Sequence, residues 1–274
     1  MSRSYLTAAV YRELAAQLTE RDLTVLQRVS ALRFVSGSQL TRLCFTDSGA
    51  AGANARAARR ALLRLVQLTA LARLPRPVGG VRAGSASFVY HLGVGGQRLA
   101  VERGWQPERR RRRSLIPGTL FVRHALLVSE LHTLLIEHGR SRRFELLELT
   151  SEPACWRPYG GFDGRRQTLK PDSYVRLGVG AYEHSYFIEV DRGTEGSRAL
   201  ERQLRLYVAY YRSGAEQSEH GVFPRVLWLA AADRRVGLIA DDVARLPRAD
   251  RELFQVARFD EMTDVLTQPT PEDT

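Results

Sequence analysis

The residues best placed to do chemistry are carboxylates in the second half of the chain. Lys170-Pro171-Asp172 opens one strand-like run and Glu189-Val190-Asp191 closes the next, 17 residues after Asp172. Carboxylates at the ends of two adjacent strands can converge on one point, where Asp172, Glu189 and Asp191 would hold an Mg²⁺ that polarises a phosphate and activates water. Gln203 and Tyr207 are i, i+4 neighbours on a helix and can face the same point. The competing reading takes the three carboxylates as exposed strand ends that pair with Arg192 or Arg176.

The elements that must position them follow from periodicity. Leu120 to His138 reads as an amphipathic helix, with Leu127, Leu131, Leu134 and Leu135 near one face. His124 and His132 lie on it eight residues apart and, with no third ligand in sight, read as packing or polar-surface residues rather than metal ligands. Strand-like runs follow at Phe144 to Leu149, Ser173 to Leu177, Ser185 to Val190 and Arg225 to Ala231. A helix from Glu195 to Arg212, ended by Ser213-Gly214, separates the last two. The order α, β, β, β, α, β predicts an α/β sandwich around a central mixed sheet.

On these residues the second half resembles the PD-(D/E)xK nuclease superfamily, through Pro171-Asp172, then Glu189, then Gln203 and Tyr207 as the QxxxY pattern of its RecB-type members. The resemblance implies a restriction-endonuclease-like fold with Asp172, Glu189, Asp191, Lys170, Gln203 and Tyr207 as its catalytic set, and an additional acid at Glu145. One position departs from the pattern. The third motif should read E-x-K, and residue 191 is aspartate, so the cation that orients water and stabilises the phosphorane is missing there. Lys170 is the chain's only lysine and can substitute from the neighbouring strand. The expectation is the fold without efficient cleavage, with Mg²⁺ as cofactor only if the nuclease reading holds.

Charge is segregated along the chain. Of the net +11 over 274 residues, positions 1–118 carry 20 Arg against 6 acidic residues, whereas positions 119–274 carry 21 Arg and Lys against 24 acidic residues. A GC-rich genome explains arginine over lysine but not this segregation, which is what a polyanion-facing domain joined to a near-neutral one shows.

The basic half has the pattern of a winged helix-turn-helix over residues 1–103. Thr19 N-caps a helix in which Leu23, Leu26, Val29, Leu32 and Phe34 recur at helical spacing, with acidic residues in its first turn. Ser36-Gly37-Ser38 breaks it before a short helix, Gln39 to Phe45. Asn54 caps a third helix to about Leu71, with Ala58, Leu62, Leu65 and Val66 as its apolar stripe. Arg56, Arg60 and Arg64, with Arg59 beside them, fall on the opposite face, where cations near a helix start oppose the macrodipole unless they meet an anion. Ala72 to Pro77 leads through Val78 to Ser87 into Phe88 to Leu92, read as two short strands joined by a Gly-rich, Arg-bearing tip, a hairpin with Arg76 and Arg82 available to phosphate. Gly93 to Arg103 reads as a closing helix. The alternative is an ordinary small α/β module.

Residues 104–118 form an arginine-rich linker. Arg109, Arg110, Arg111, Arg112 and Arg113 run without interruption and stay solvated until an anion arrives. The α/β domain then spans 119–262, and the polar, acidic tail 263–274 reads as disordered. Cys44 and Cys155 form no CxxC pair, so neither a disulfide framework nor a zinc site is implied. No uninterrupted run of about 20 apolar residues is present, and the first ten residues lack a secretory pattern. These features predict a cytoplasmic, bacterial-type protein without a membrane partner or an evident small-molecule ligand.

Across both halves, roughly Thr19 to Leu238, the chain also resembles the replication-relaxation family of plasmid and mobile-element proteins. The residues that carry this are Thr19-Glu-Arg-Asp22 to Leu26, Leu71-Ala-Arg-Leu74, Lys170-Pro-Asp172, Phe187-Ile-Glu-Val-Asp-Arg-Gly-Thr-Glu195 and Gln203-Leu-Arg-Leu-Tyr207. The resemblance implies a double-stranded-DNA-binding protein linked to replication, mobilisation or control of extrachromosomal DNA, and makes Asp191 a family feature. The alternatives are an Mg-dependent endonuclease or nickase, and a winged-helix transcriptional regulator whose second domain dimerises; a homodimer is compatible with each.

Overall fold

The computed structural model describes residues 7–47, 52–74, 88–107, 118–161, 164–193 and 196–267. The chain is a mixed α/β protein that divides into two compact units, Met1–Thr133 and Leu134–Thr274.

In the first unit the order is α1 (Ala8–Ala16), α2 (Glu20–Leu32), β1 (Val35–Ser36), α3 (Gly37–Cys44), α4 (Ala53–Gln67), β2 (Leu71–Arg73), β3 (Val89–Leu92), α5 (Val94–Glu102) and the start of α6 (Thr119–Arg140). The strands form a small antiparallel sheet in the order β1-β3-β2. Capping chemistry sets two of the helix starts. Thr19 and Asp22 close a capping box on α2, and Ser36 and Gln39 close one on α3, so α3 begins at Gly37 and not after Ser38. The α4 start differs as well: Gly52, in the left-handed conformation (φ 73°), occupies the N-cap in place of Asn54.

Val25, Leu26, Leu40, Leu65, Leu71 and Val89 fill the core of this unit. Gly93 and Gly96 are dictated by crowding, since a Cβ at either would lie 2.2 and 2.1 Å from the Thr69 and Ala70 carbonyl oxygens. Strands of the expected hairpin fall at Leu71–Arg73 and Val89–Leu92; residues 75–87, with Arg76 and Arg82, lie outside the described residues, as do Arg109 to Arg113.

Sequence pattern places helix α6 entirely in the second half, yet its first part belongs to the first unit. Gln39 donates from Nε2 to Leu126 O at 3.0 Å and to Glu130 at 2.9 Å, and Ser129 Oγ donates to Phe34 O at 2.7 Å. Among the described residues it is the one helix long and apolar enough to cross a membrane, and half of its most apolar stretch is buried within the protein.

His132, on this helix, is buried, and that burial with the nearby Arg28 guanidinium lowers its pKa from 6.5 to about 3. Between those values the unfolded chain binds a proton that the folded chain does not. Stability is therefore expected to rise with pH across that window by about 1.4 kcal/mol per unit. Urea midpoints measured between pH 4 and 7 check this, and His132→Leu should flatten the slope.

The second unit is built on a five-stranded mixed sheet, β10-β9-β8-β7-β4, from β4 (Glu145–Ser151), β7 (Ser173–Val179), β8 (Tyr182–Val190), β9 (Arg225–Ala230) and β10 (Phe254–Arg258). β8, β9 and β10 run parallel, whereas β7 is antiparallel to both its neighbours. Strands buried on both faces read as continuous apolar runs, which is why Tyr186 to Val190 and Val226 to Ala230 show little alternation. α7 (Ser197–Ser213) connects β8 to β9, and it ends at Gly214, whose φ of 69° terminates the helix. Its Leu204, Tyr207 and Tyr210 pack with Phe187, Trp228 and Phe254 in one core.

The predicted α, β, β, β, α, β order is embedded in a longer one. A separate two-stranded hairpin, β5 (Arg157–Gly160) and β6 (Arg166–Leu169), stands between β4 and β7. α8 (Ala215–His220) precedes β9; α9 (Asp233–Ala244) and α10 (Arg248–Arg251) lead to β10, and a short 3₁₀ turn and α11 (Met262–Thr267) follow.

Candidate functional site

Two groups of side chains carry the functional question, one in each unit. In the first, α4 buries Ala58, Leu62 and Leu65, which turns Arg56, Arg59 and Arg60 to solvent. Arg64 leaves this set. Its Nη1 donates to Gln17 O at 3.1 Å and its Nη2 pairs with the buried carboxylate of Asp22, which also accepts from Thr19 N at 2.8 Å and Thr19 Oγ1 at 2.7 Å. The physical reason is helical drift: positions eight apart are about 80° apart around the axis, enough to bring Arg64 onto the N-terminal end of α2 while Arg56 and Arg60 face outward.

A groove of about 620 Å³ runs between α2 and α4, lined by Arg21, Phe45, Ala57, Arg60, Ala61 and Arg64 among others. Arg21 pairs with Asp47 and lies 5.4 Å from the Phe45 ring centre. The outward arginines and this groove present cationic donors on one side of α4, where a polyanion can be met by several guanidinium groups at once.

In the second unit Glu189, on β8, is buried and accepts a hydrogen bond from Tyr207 Oη at 2.5 Å, from one face of α7. Asp172, just before β7, accepts from Val190 N at 2.8 Å, tying the start of one strand to the end of the next. Burial, then the negative charges of Glu189 and Asp172, push the Tyr207 phenol well above its usual range, so it is a neutral donor to Glu189. The same causes raise the buried Cys155 thiol, whose Sγ donates to Pro171 O at 3.1 Å. Cys155 is thus an inert neighbour of the acid pair. Gln203, one turn before Tyr207, is half-buried.

Asp191 goes elsewhere. β8 ends at Val190, and the Asp191 carboxylate is gripped by Arg235 of α9, from Nε at 2.7 Å and Nη2 at 2.8 Å, and by Gly193 N at 2.7 Å. Neither Arg192 nor Arg176 supplies this partner; Arg176 lies 3.4 Å from Glu183 and 4.0 Å from Glu148. Lys170, the other cation expected near the acids, has its Nζ 4.8 Å over the Trp156 ring. Glu145 stands at the other end of β4 from Asp172: it pairs in register with Gly178, whereas Ser151 pairs with Ser173.

Among the described residues no group of three or more His, Cys, Asp or Glu side chains is placed to hold a metal ion. The donors explain it. The third carboxylate is neutralised by an arginine fork, so the predicted trio Asp172, Glu189 and Asp191 does not present three carboxylates together to an Mg²⁺ in this arrangement. Sequence reasoning missed Arg235 and Cys155. Arg235 lies 44 residues beyond Asp191, and no local pattern connects the two.

These features define a mixed α/β protein in which a basic helical unit precedes a five-stranded mixed sheet bearing a buried acid–phenol pair. The chain belongs to the replication-relaxation family, associated with plasmid replication, which it matches over residues 26–226. No curated protein and no solved structure matches it significantly.

Proposed function

We propose that this protein binds double-stranded DNA of a plasmid or mobile element through its first unit, and that its second unit engages nucleic acid without cleaving it efficiently. The element order from α2 through β1, α3, α4, β2 and β3 to α5 supports reading the first unit as a winged helix, with α4 in the major groove. The carrying observation is the outward display of Arg56, Arg59 and Arg60 opposite the buried stripe of α4, in the half of the chain that holds all of the excess positive charge. Arg76, Arg82 and Arg109 to Arg113 add phosphate contacts on this reading.

The pairing of Asp191 with Arg235 supports recognition over hydrolysis, since the position where the nuclease pattern places a lysine is occupied by a neutralised carboxylate. Anisotropy titration with labelled duplexes at low salt, alongside supercoiled plasmid with Mg²⁺, tests both parts. Saturable duplex binding without nicking is expected. Nicking that disappears in Asp172→Ala would establish an endonuclease instead, and no association with any duplex would sink the DNA-binding reading.

A further inference from the structure

The hairpin β5–β6 reverses the charge of its surroundings. Residues 156–170 carry four cations, Arg157, Arg165, Arg166 and Lys170, against one carboxylate, within a half of the chain that is net negative. Its two faces differ in kind. Tyr159 and Leu169 are buried in the core cluster. Tyr159 packs on Tyr210 with ring centres 4.8 Å apart and donates from Oη to Gln167 at 2.9 Å. Arg157 reaches the buried carboxylate of Glu216 at 3.1 Å and the Cys155 carbonyl at 3.1 Å. These anchors fix the hairpin from beneath.

The outer face has another composition. From residue 166 exposure alternates, with Arg166, Thr168 and Lys170 outward and Leu169 and Pro171 buried, and the same alternation arrives at Asp172. Across the ladder Arg166 pairs with Gly160 and Thr168 with Pro158. Neither neighbour carries an acid, and a Cβ at Gly160 would meet nothing within 4 Å. Outward residues on a strand recur about every 6.6 Å, which spaces their side chains widely enough to meet separate phosphates along one strand of a duplex. Lys170 is also held over Trp156, so its donor is ordered before any ligand arrives.

We infer that the outer face of this hairpin is a second DNA-backbone surface, on which Arg166, Thr168 and Lys170 contact phosphates of a duplex close in sequence to Asp172. It rests on the DNA-binding reading above and adds phosphate recognition that α4 does not supply.

The test uses the full chain with p-benzoylphenylalanine at Thr168 and, separately, the double variant Arg166→Gln/Lys170→Gln. Irradiation with a 40-bp duplex is expected to crosslink position 168 to DNA. The double variant is expected to bind with a log affinity versus log salt slope reduced by about 1.8, since each neutralised phosphate contributes about 0.9. If the unmodified protein binds the duplex while position 168 gives no crosslink and the slope is unchanged, the hairpin surface is overturned and DNA binding by the first unit stands. Crosslinking to single-stranded oligonucleotides alone would overturn the duplex assignment. Absence of binding by the unmodified protein would remove both readings together.

Discussion

Replacing Arg235 with alanine is expected to destabilise the second unit by about 3 kcal/mol, because it strands a buried carboxylate without its cation. The Asp191 side chain is 4% exposed and that of Arg235 15%, and the two are joined by paired Nε and Nη2 bonds. Gly193 N would remain as a donor to Asp191, which satisfies a lone pair but supplies no full charge. Burial on this scale separates the pair from the many arginine–carboxylate contacts on the surface, such as Arg205–Glu201, which are worth a few tenths of a kcal/mol. Thermal unfolding monitored by circular dichroism should show a melting temperature lowered by several degrees. Removing both charges, as Asp191→Asn with Arg235→Met, should recover most of the loss, since the large term is the uncompensated charge and not the absence of attraction. A melting curve for Arg235→Ala that superimposes on the unmodified protein would refute the assignment of this pair as the clamp at the end of β8.

Changing Arg56, Arg59 and Arg60 together to alanine is expected to lower duplex affinity by about a hundredfold near 0.15 M salt and to reduce the salt slope by up to about 2.7, at about 0.9 for each phosphate no longer neutralised. Base recognition by any of them would make the loss depend on DNA sequence, whereas phosphate contacts alone would weaken all duplexes alike. Folding should be unaffected, because these three side chains are exposed. Arg64→Ala should behave in the opposite manner. The Asp22 side chain is 2% exposed and would be deprived of the guanidinium paired with it, so a stability loss of about 2 kcal/mol is expected. Its effect on DNA affinity should be smaller than that of Arg60→Ala when both are measured at a temperature where each variant is folded. Equal binding losses from the two single changes, with no change in the stability of Arg64→Ala, would show that Arg64 belongs to the DNA-facing set after all.

Arg60 and Arg64 show where sequence reading stops. With Arg56 they form a run at four-residue spacing that reads as one face, although it turns by about 80° between Arg56 and Arg64. What separates them is Asp22, on another helix 42 residues earlier, whose capping geometry aims its carboxylate inward. The carboxylates of the second unit divide similarly. Asp172 and Glu189 are recognisable from strand ends, and they lie in one neighbourhood with Tyr207, itself marked by its spacing from Gln203. Asp191 follows the same alternation but its carboxylate is taken up by an arginine on α9, a helix that no sequence motif ties to a site.

The hairpin β5–β6 is illegible in the sequence for a different reason. Each strand is four residues long, one contains a proline and a glycine, and neither has enough alternation to stand above the loops around it.

Local rules therefore reach the helix cap at Thr19, the apolar stripe of α4, the strands β8 and β9, and the segregation of charge. Each of these depends on residues within a turn or a strand of one another, or on simple counting. Only the tertiary structure decided which arginines are spent inside the protein and which face outward, and which partner each carboxylate takes. Those outcomes are set by distances between segments remote in the chain, and a charge finds its partner through space, at a separation that sequence spacing does not encode.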